Sequence, residues 1–149
     1  MPNAIDVAEF ILQRAGAMDT MKLQKLVYYS QAWSLVWSGA PLFEDPIEAW
    51  AGGPVVRDLF NRHRGRFHVG PNELGGDAGA VTAQQAANVA VVVDHYGQWS
   101  GQQLSDLAHS EGPWQTARQG LHPTARGNIP IDLMEMWQYY SAIAKASPS

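Results

Sequence analysis

Thr20-Met21-Lys22-Leu23-Gln24-Lys25-Leu26-Val27-Tyr28-Tyr29-Ser30-Gln31-Ala32-Trp33-Ser34-Leu35-Val36-Trp37 is the stretch on which the fold turns. Its spacing predicts a helix. Asp19 or Thr20 can accept hydrogen bonds from the free amides at its start, and Gly39 can close it. One apolar face carries Leu23, Leu26, Val27, Trp33 and Trp37; a second carries Tyr29, Ala32 and Val36. A surface helix is apolar along one stripe only, so a helix apolar nearly all round is expected to be central, with others packed on several sides. Lys22, Gln24 and Lys25 make its first turn polar and cationic. Lysines there oppose the helix macrodipole, at about 0.3–1 kcal/mol each when exposed. They read either as solvated lysines whose stems cover apolar neighbours or as a cationic contact surface for a partner. Tyr28 and Tyr29 lie beside Lys25 and would be strong contact residues if exposed; at least one is expected to be buried.

On the N-terminal side, Ile5, Ala8, Ile11, Leu12 and Ala15 mark a short amphipathic helix over Ala4–Ala15, capped by Asn3 and ended by Gly16. On the C-terminal side, the turn-rich Pro41–Pro46 leads to Ile47-Glu48-Ala49-Trp50, an extended element near 47–51. Gly52-Gly53-Pro54 is expected to break it and begin a helix running to His63, because proline at the first helical position loses no needed hydrogen bond. Arg57, Arg62, His63, Arg64, Arg66 and His68 make this the most basic region. The glycine-rich residues 69–80 read as a mobile loop. Capping boxes at Thr82/Gln85 and Ser100/Gln103 open two further helices. Pro113 starts another helical turn, and Pro130 starts the last helix, from Ile131 to Ile143. The expected fold is mainly α: a compact single-domain bundle of six to seven helices over residues 1–146, around the motif helix, with one small extended element. Ser147-Pro148-Ser149 is expected to be a disordered tail.

Composition narrows the function. The 149 residues suit one domain with a real core. The net charge of -4 argues against a general nucleic-acid binder but leaves room for a local basic patch. The chain has no cysteine, which removes disulfides, thiolate chemistry and zinc–cysteine sites. No apolar run reaches the ~20 residues of a membrane span, and Met1–Asp6 lacks the cationic start of a signal peptide. Six tryptophans fill a core or form a protein-binding patch.

Candidate chemistry is sparse. His109 and Glu111 could act as general base and partner, or as metal ligands with His95 and Asp94. Their spacing is not that of a zinc motif such as HExxH, and a catalytic metal usually takes three protein ligands. A structural turn is the alternative, with His109 ending one helix and Glu111 beginning the next. Gly52-Gly53-Pro54-Val55 lacks the lysine of a phosphate-binding loop, and close backbone packing explains it better. The Arg57–Arg66 cluster reads as phosphate contacts, as a surface for an acidic partner, or as a solvated helix face.

Three blocks resemble one family. Met21-Lys22-Leu23-Gln24-Lys25-Leu26-Val27-Tyr28-Tyr29-Ser30-Gln31-Ala32-Trp33 resembles the K-L-Q-K-L-x-Y-Y-x-Q motif of the Panacea domain, found in SocA-like antitoxins and phage-associated GepA proteins. Ile47-Glu48-Ala49-Trp50-Ala51-Gly52-Gly53-Pro54-Val55-Val56 is similar to its I-E-A-W-x-x-G-P-V block. Leu104-Ser105-Asp106-Leu107-Ala108-His109-Ser110-Glu111-Gly112-Pro113-Trp114 is similar to L-S-x-x-T-H-x-E-x-P-W, with Ala108 where the family usually has threonine. Order and spacing fit over roughly Ala4 to Tyr140.

The resemblance implies a cytoplasmic antitoxin-type binding module, without catalysis or cofactor, that neutralises a cognate protein toxin by direct contact. It also implies a second reading, a proteolytic adaptor delivering a toxin to a AAA+ protease. A metal-dependent hydrolase built on His109, Glu111 and His95 is the reading from another class. Partner-binding candidates are Lys22, Lys25, Tyr28, Tyr29, Arg57 and Arg62. Structural motif residues are Leu23, Leu26, Trp33, Trp50, Gly53, Pro54, His109, Glu111, Pro113 and Trp114. Nucleic acid and membrane are not among the expected partners.

Overall fold

A computed structural model describes residues 1–146; the tail expected at 147–149 lies outside the described residues. Through its middle runs the motif helix, α2 (Thr20–Ser38). Asp19, not Thr20, caps it, its Oδ1 accepting from the Lys22 amide at 2.7 Å. Gly39 closes it at φ 69°, donating to the Leu35 carbonyl. Around α2 pack α1 (Ala4–Ala15), α3 (Arg57–His63), α4 (Ala83–Tyr96), α5 (Gly101–His109) and α7 (Leu133–Ala146), while the short α6 (Gly112–Ala117) lies against α7. Leu23, Leu26, Val27, Tyr29 and Ala32 are each 0% exposed, as expected of a helix with neighbours on every side. The fold is mainly helical, as the sequence implies. Among the described residues, no helix is long and apolar enough to cross a membrane.

The extended element is larger than expected. Strands β2 (Ile47–Trp50) and β3 (Gly53–Val56) form an antiparallel hairpin, with Trp50 opposite Gly53 and Ile47 opposite Val56. Gly52-Gly53-Pro54 therefore turns the chain back as a strand, and helix α3 waits until Arg57. Pro54 and Val56 share the edge turned toward α2. A proline there interrupts no ladder bond. The Gln24 side chain completes that edge: its Oε1 accepts from the Val56 amide at 2.9 Å and its Nε2 donates to the Val56 carbonyl at 3.2 Å. Gly53 stands at φ +118°, where a Cβ would meet Lys25 Cε at 2.7 Å. Glycine satisfies both demands, left-handed backbone and close approach. The other edge is covered by residues 129–131, through Ala49 N–H to Ile129 O and Ile131 N–H to Ile47 O. Neither edge is left to pair with another chain. Pro130 is thus used in a bridge to Glu48, and α7 starts at Leu133, two residues after the expected Ile131.

Residues 69–80 are laid along α1. Leu74 is buried, the Asn72 amide donates to the buried Glu9 carboxylate, and the Asp77 amide donates to Asp6 Oδ1 at 2.9 Å. Gly76 passes against the Ile5 carbonyl with no room for a Cβ. Within this part of the chain, β1 (Met18–Asp19) pairs with β4 (His68–Val69), and Ala78–Ala80 form a 3₁₀ turn. The anchors are acidic side chains of α1 accepting backbone amides, which composition of the loop itself does not show.

Because Leu26 is fully enclosed, Leu26→Ala is expected to lower unfolding stability by about 2–5 kcal/mol. Equilibrium denaturation checks this; a loss below about 1 kcal/mol would make α2 peripheral.

Candidate functional site

The motif helix holds four of the six sequence-level contact candidates, and the structure turns three of them inward. Lys25, Tyr28 and Tyr29 are 2%, 1% and 0% exposed, so they are no contact surface on the folded chain. The first-turn cations face the hairpin and the end of α4 rather than solvent. Lys25 Nζ donates to the Pro54 carbonyl at 3.2 Å. Lys22 is half-buried and donates to the Gly97 carbonyl at 2.6 Å, at the C-terminal end of α4, where a cation complements the dipole. Arg57 and Arg62 do project outward. Arg57 makes a two-pronged pair with Glu48, at 2.9 and 3.2 Å, and Arg62 donates to the Leu74 carbonyl.

Six hairpin carbonyls accept from side chains. Gln24 and Lys25 of α2 reach Val56 and Pro54, as above. Ser105 Oγ reaches the Gly52 carbonyl at 2.8 Å, His109 Nε2 the Ala51 carbonyl at 2.7 Å, and Trp114 Nε1 the Trp50 carbonyl at 2.8 Å. Arg118 Nη1 reaches the Ala49 carbonyl at 2.9 Å. The three sequence blocks are one hydrogen-bonded unit, in which the first and third grip the backbone of the second. Arg118 was not singled out in the sequence. It is buried, lies over the Trp114 ring, and also donates to the carbonyls of His122 and Ala125, pinning the 121–129 loop beside β2.

Glu111 caps α6 in sequence position only; its side chain turns into the core. Its Oε1 accepts from Tyr29 at 2.6 Å and from Tyr140 at 2.8 Å, and Tyr28 lies 3.0 Å from the Tyr140 hydroxyl. Since Tyr140 donates to the carboxylate, Tyr28 donates to Tyr140. Tyr96 stacks on Tyr29 with ring centroids 4.3 Å apart and accepts from Trp33 Nε1 at 2.9 Å. Burial pushes the Glu111 carboxyl above its usual range, against the lowering effect of the two tyrosine hydrogen bonds. Burial likewise raises Tyr28, Tyr29 and Tyr140, and pushes Tyr96 up to about 12. All four hydroxyls stay protonated at neutral pH.

The residues of the hydrolase reading are not brought together. His109 has both ring nitrogens against carbonyl oxygens, of Ser105 and Ala51, so neither is free to bind a metal or accept a substrate proton. Glu111 is occupied by tyrosines, Asp94 pairs with Arg14 at 2.9 Å, and His95 packs edge-on to Tyr96 and Trp99. Among the described residues, no three His, Cys, Asp or Glu side chains are placed to share a metal ion.

The outer face of the hairpin carries a groove of about 740 Å³, lined by Trp50, Phe60, Arg57, Arg64, Arg126 and Asn128 among others. Trp50 and Phe60 meet edge to face at 4.9 Å. Arg57 and Arg64 lie over them, at 5.5 Å from the Trp50 ring and 5.3 Å from the Phe60 ring. Arg126 joins from the loop that Arg118 holds. In the sequence Arg126 stands alone in a loop, with no pattern linking it to the arginines of α3.

Two substitutions separate acceptor from charge in the interior. Glu111→Ala leaves the buried Tyr29 hydroxyl unpaired and the Tyr140 hydroxyl with Tyr28 alone, an unpaired group costing about 1–3 kcal/mol. Glu111→Gln keeps an acceptor and is expected to lose clearly less, measured by thermal and chemical unfolding. Lys25 gives a pH signature: burial pushes its ammonium down to about 8, with Asp19 opposing. Between that value and the ordinary lysine range near 10.4, the unfolded chain binds a proton the native chain has released. Stability therefore rises with pH in this window, by at most about 1.4 kcal/mol per unit. Denaturation between about pH 8 and 9.5, before unfolded tyrosines ionise, is expected to show this rise in the native sequence and not in Lys25→Met.

A family model described as "Antitoxin SocA-like, Panacea domain" matches residues 23–115, a span from α2 through the hairpin to α6. The chain is 28% identical over 138 residues to a curated protein named "Antitoxin SocA" from Caulobacter vibrioides (strain NA1000 / CB15N), covering 80% of this chain and 73% of that protein. No solved structure matches.

Proposed function

Because the chain belongs to the SocA-like antitoxin family carrying the Panacea domain, we propose that it is a cytoplasmic antitoxin-type binding module that neutralises a cognate protein toxin by direct contact. The observation that carries this reading is the family match across α2, the hairpin and α5, supported by the curated relative named as an antitoxin. The geometry is consistent with binding rather than catalysis. Polar residues of the motifs are spent on holding the hairpin, and the accessible features of that hairpin are a groove and exposed arginines. The reading assigns no cofactor and no catalytic residue.

The toxin is expected from an adjacent gene whose expression alone stops growth. Co-expression of this chain is expected to restore growth, and the two proteins are expected to co-purify. Growth rescue by a variant that has lost all toxin binding would contradict occlusion. Loss of protection on deleting the cell's AAA+ protease, with binding intact, would replace occlusion by the adaptor mechanism.

A further inference from the structure

We infer that the groove between the hairpin and α3 is the docking site for a short acidic segment of the partner, with carboxylates flanking an aromatic or aliphatic side chain. The inference rests on the proposed binding role and names the surface that performs it.

Three of the chain's ten Lys and Arg line this one groove, and the Glu48 carboxylate beside it offsets one of them, Arg57. In a chain of net charge -4 that is a local reversal of sign. The structure also shows how a carboxylate is read here. Glu48 Oε1 accepts from Trp50 Nε1 at 2.8 Å and from Arg57 Nη2 at 2.9 Å, a self-supplied example of the recognition proposed. Arg57 is thereby neutralised and fixed. Arg64 and Arg126 have no carboxylate partner among the described residues. Their planar, multi-donor guanidinium groups match carboxylate geometry. Arg64 is already held over Phe60, which lowers the ordering cost of engaging a ligand. The Trp50–Phe60 pair supplies the apolar floor that an anchoring side chain needs. A volume of about 740 Å³ suits a few residues rather than a whole domain face. Nucleic acid fits less well: two unpaired cations displace few counterions, against a net negative chain.

The test uses the full chain and a fluorescein-labelled peptide, Glu-Asp-Trp-Glu-Asp-Leu-Glu, followed by fluorescence anisotropy. The native chain is expected to bind it, with affinity falling as salt rises. Arg64→Glu/Arg126→Glu is expected to weaken binding at least about tenfold, as loss of charge-assisted contacts implies. Arg64→Gln/Arg126→Gln is expected to weaken it less, and Arg14→Glu, outside the groove, not at all. Circular dichroism checks folding, and the exposed positions of Arg64 and Arg126 favour it. Equal binding by the groove variants, or no binding by the native chain, would overturn the inference. So would tighter binding of a single-stranded oligonucleotide of equal charge, which would assign the groove to nucleic acid. The two readings fail separately. If the native chain binds and neutralises the adjacent-gene toxin but the double glutamate variant does so equally well, the groove reading falls alone. If the native chain does neither, the antitoxin reading falls, and the peptide assay still decides the groove.

Discussion

A β-hairpin held in place by side chains is the constraint on which this structure depends. A two-stranded hairpin is at best marginally stable in water by itself. Here six of its carbonyls accept from Gln24, Lys25, Ser105, His109, Trp114 and Arg118. The Gln24 amide is the most telling of these, because it satisfies both backbone groups of Val56 and stands where a third strand would. Buried backbone groups without partners cost roughly what the lost hydrogen bond is worth. A hairpin clamped this way cannot leave α2 without orphaning several at once.

The same constraint explains why polar motif residues are poor guides to a surface. Lysines and tyrosines in a helix read naturally as contact groups, but Lys25 and both Tyr28 and Tyr29, of which at least one is expected inside, are buried. The interior needs donors: for the carbonyls of the hairpin, and for the buried carboxylate of Glu111. Motif polarity is consumed inside the fold. What stays accessible on the outer face of the hairpin is Trp50 of the second block, with Phe60 and the arginines of α3 and the 121–129 loop.

Much of the fold was legible in the sequence because it rests on local signals. The capping boxes at Thr82/Gln85 and Ser100/Gln103, the cap at Asn3 and the two-sided apolar pattern of α2 each report on a single helix, and each matches what forms. What was not legible is set by partners distant in the chain. Pro54 reads as a helix start because nothing nearby says that Gln24, 32 residues before Val56, will complete a strand edge. Residues 69–80 read as a loop because their anchors, Asp6 and Glu9, sit on α1. No sequence pattern links Arg126 to α3, because Arg118 brings it beside that helix only in three dimensions.

Native-state hydrogen exchange at the Val56 amide tests the central claim most directly, since that N–H points at Gln24 and not at a strand. If the motif helix clamps the hairpin, this amide is expected to exchange only on global unfolding, and to lose that protection selectively in Gln24→Ala. Exchange through a low-energy local opening in the native sequence, or unchanged protection in Gln24→Ala, would contradict it.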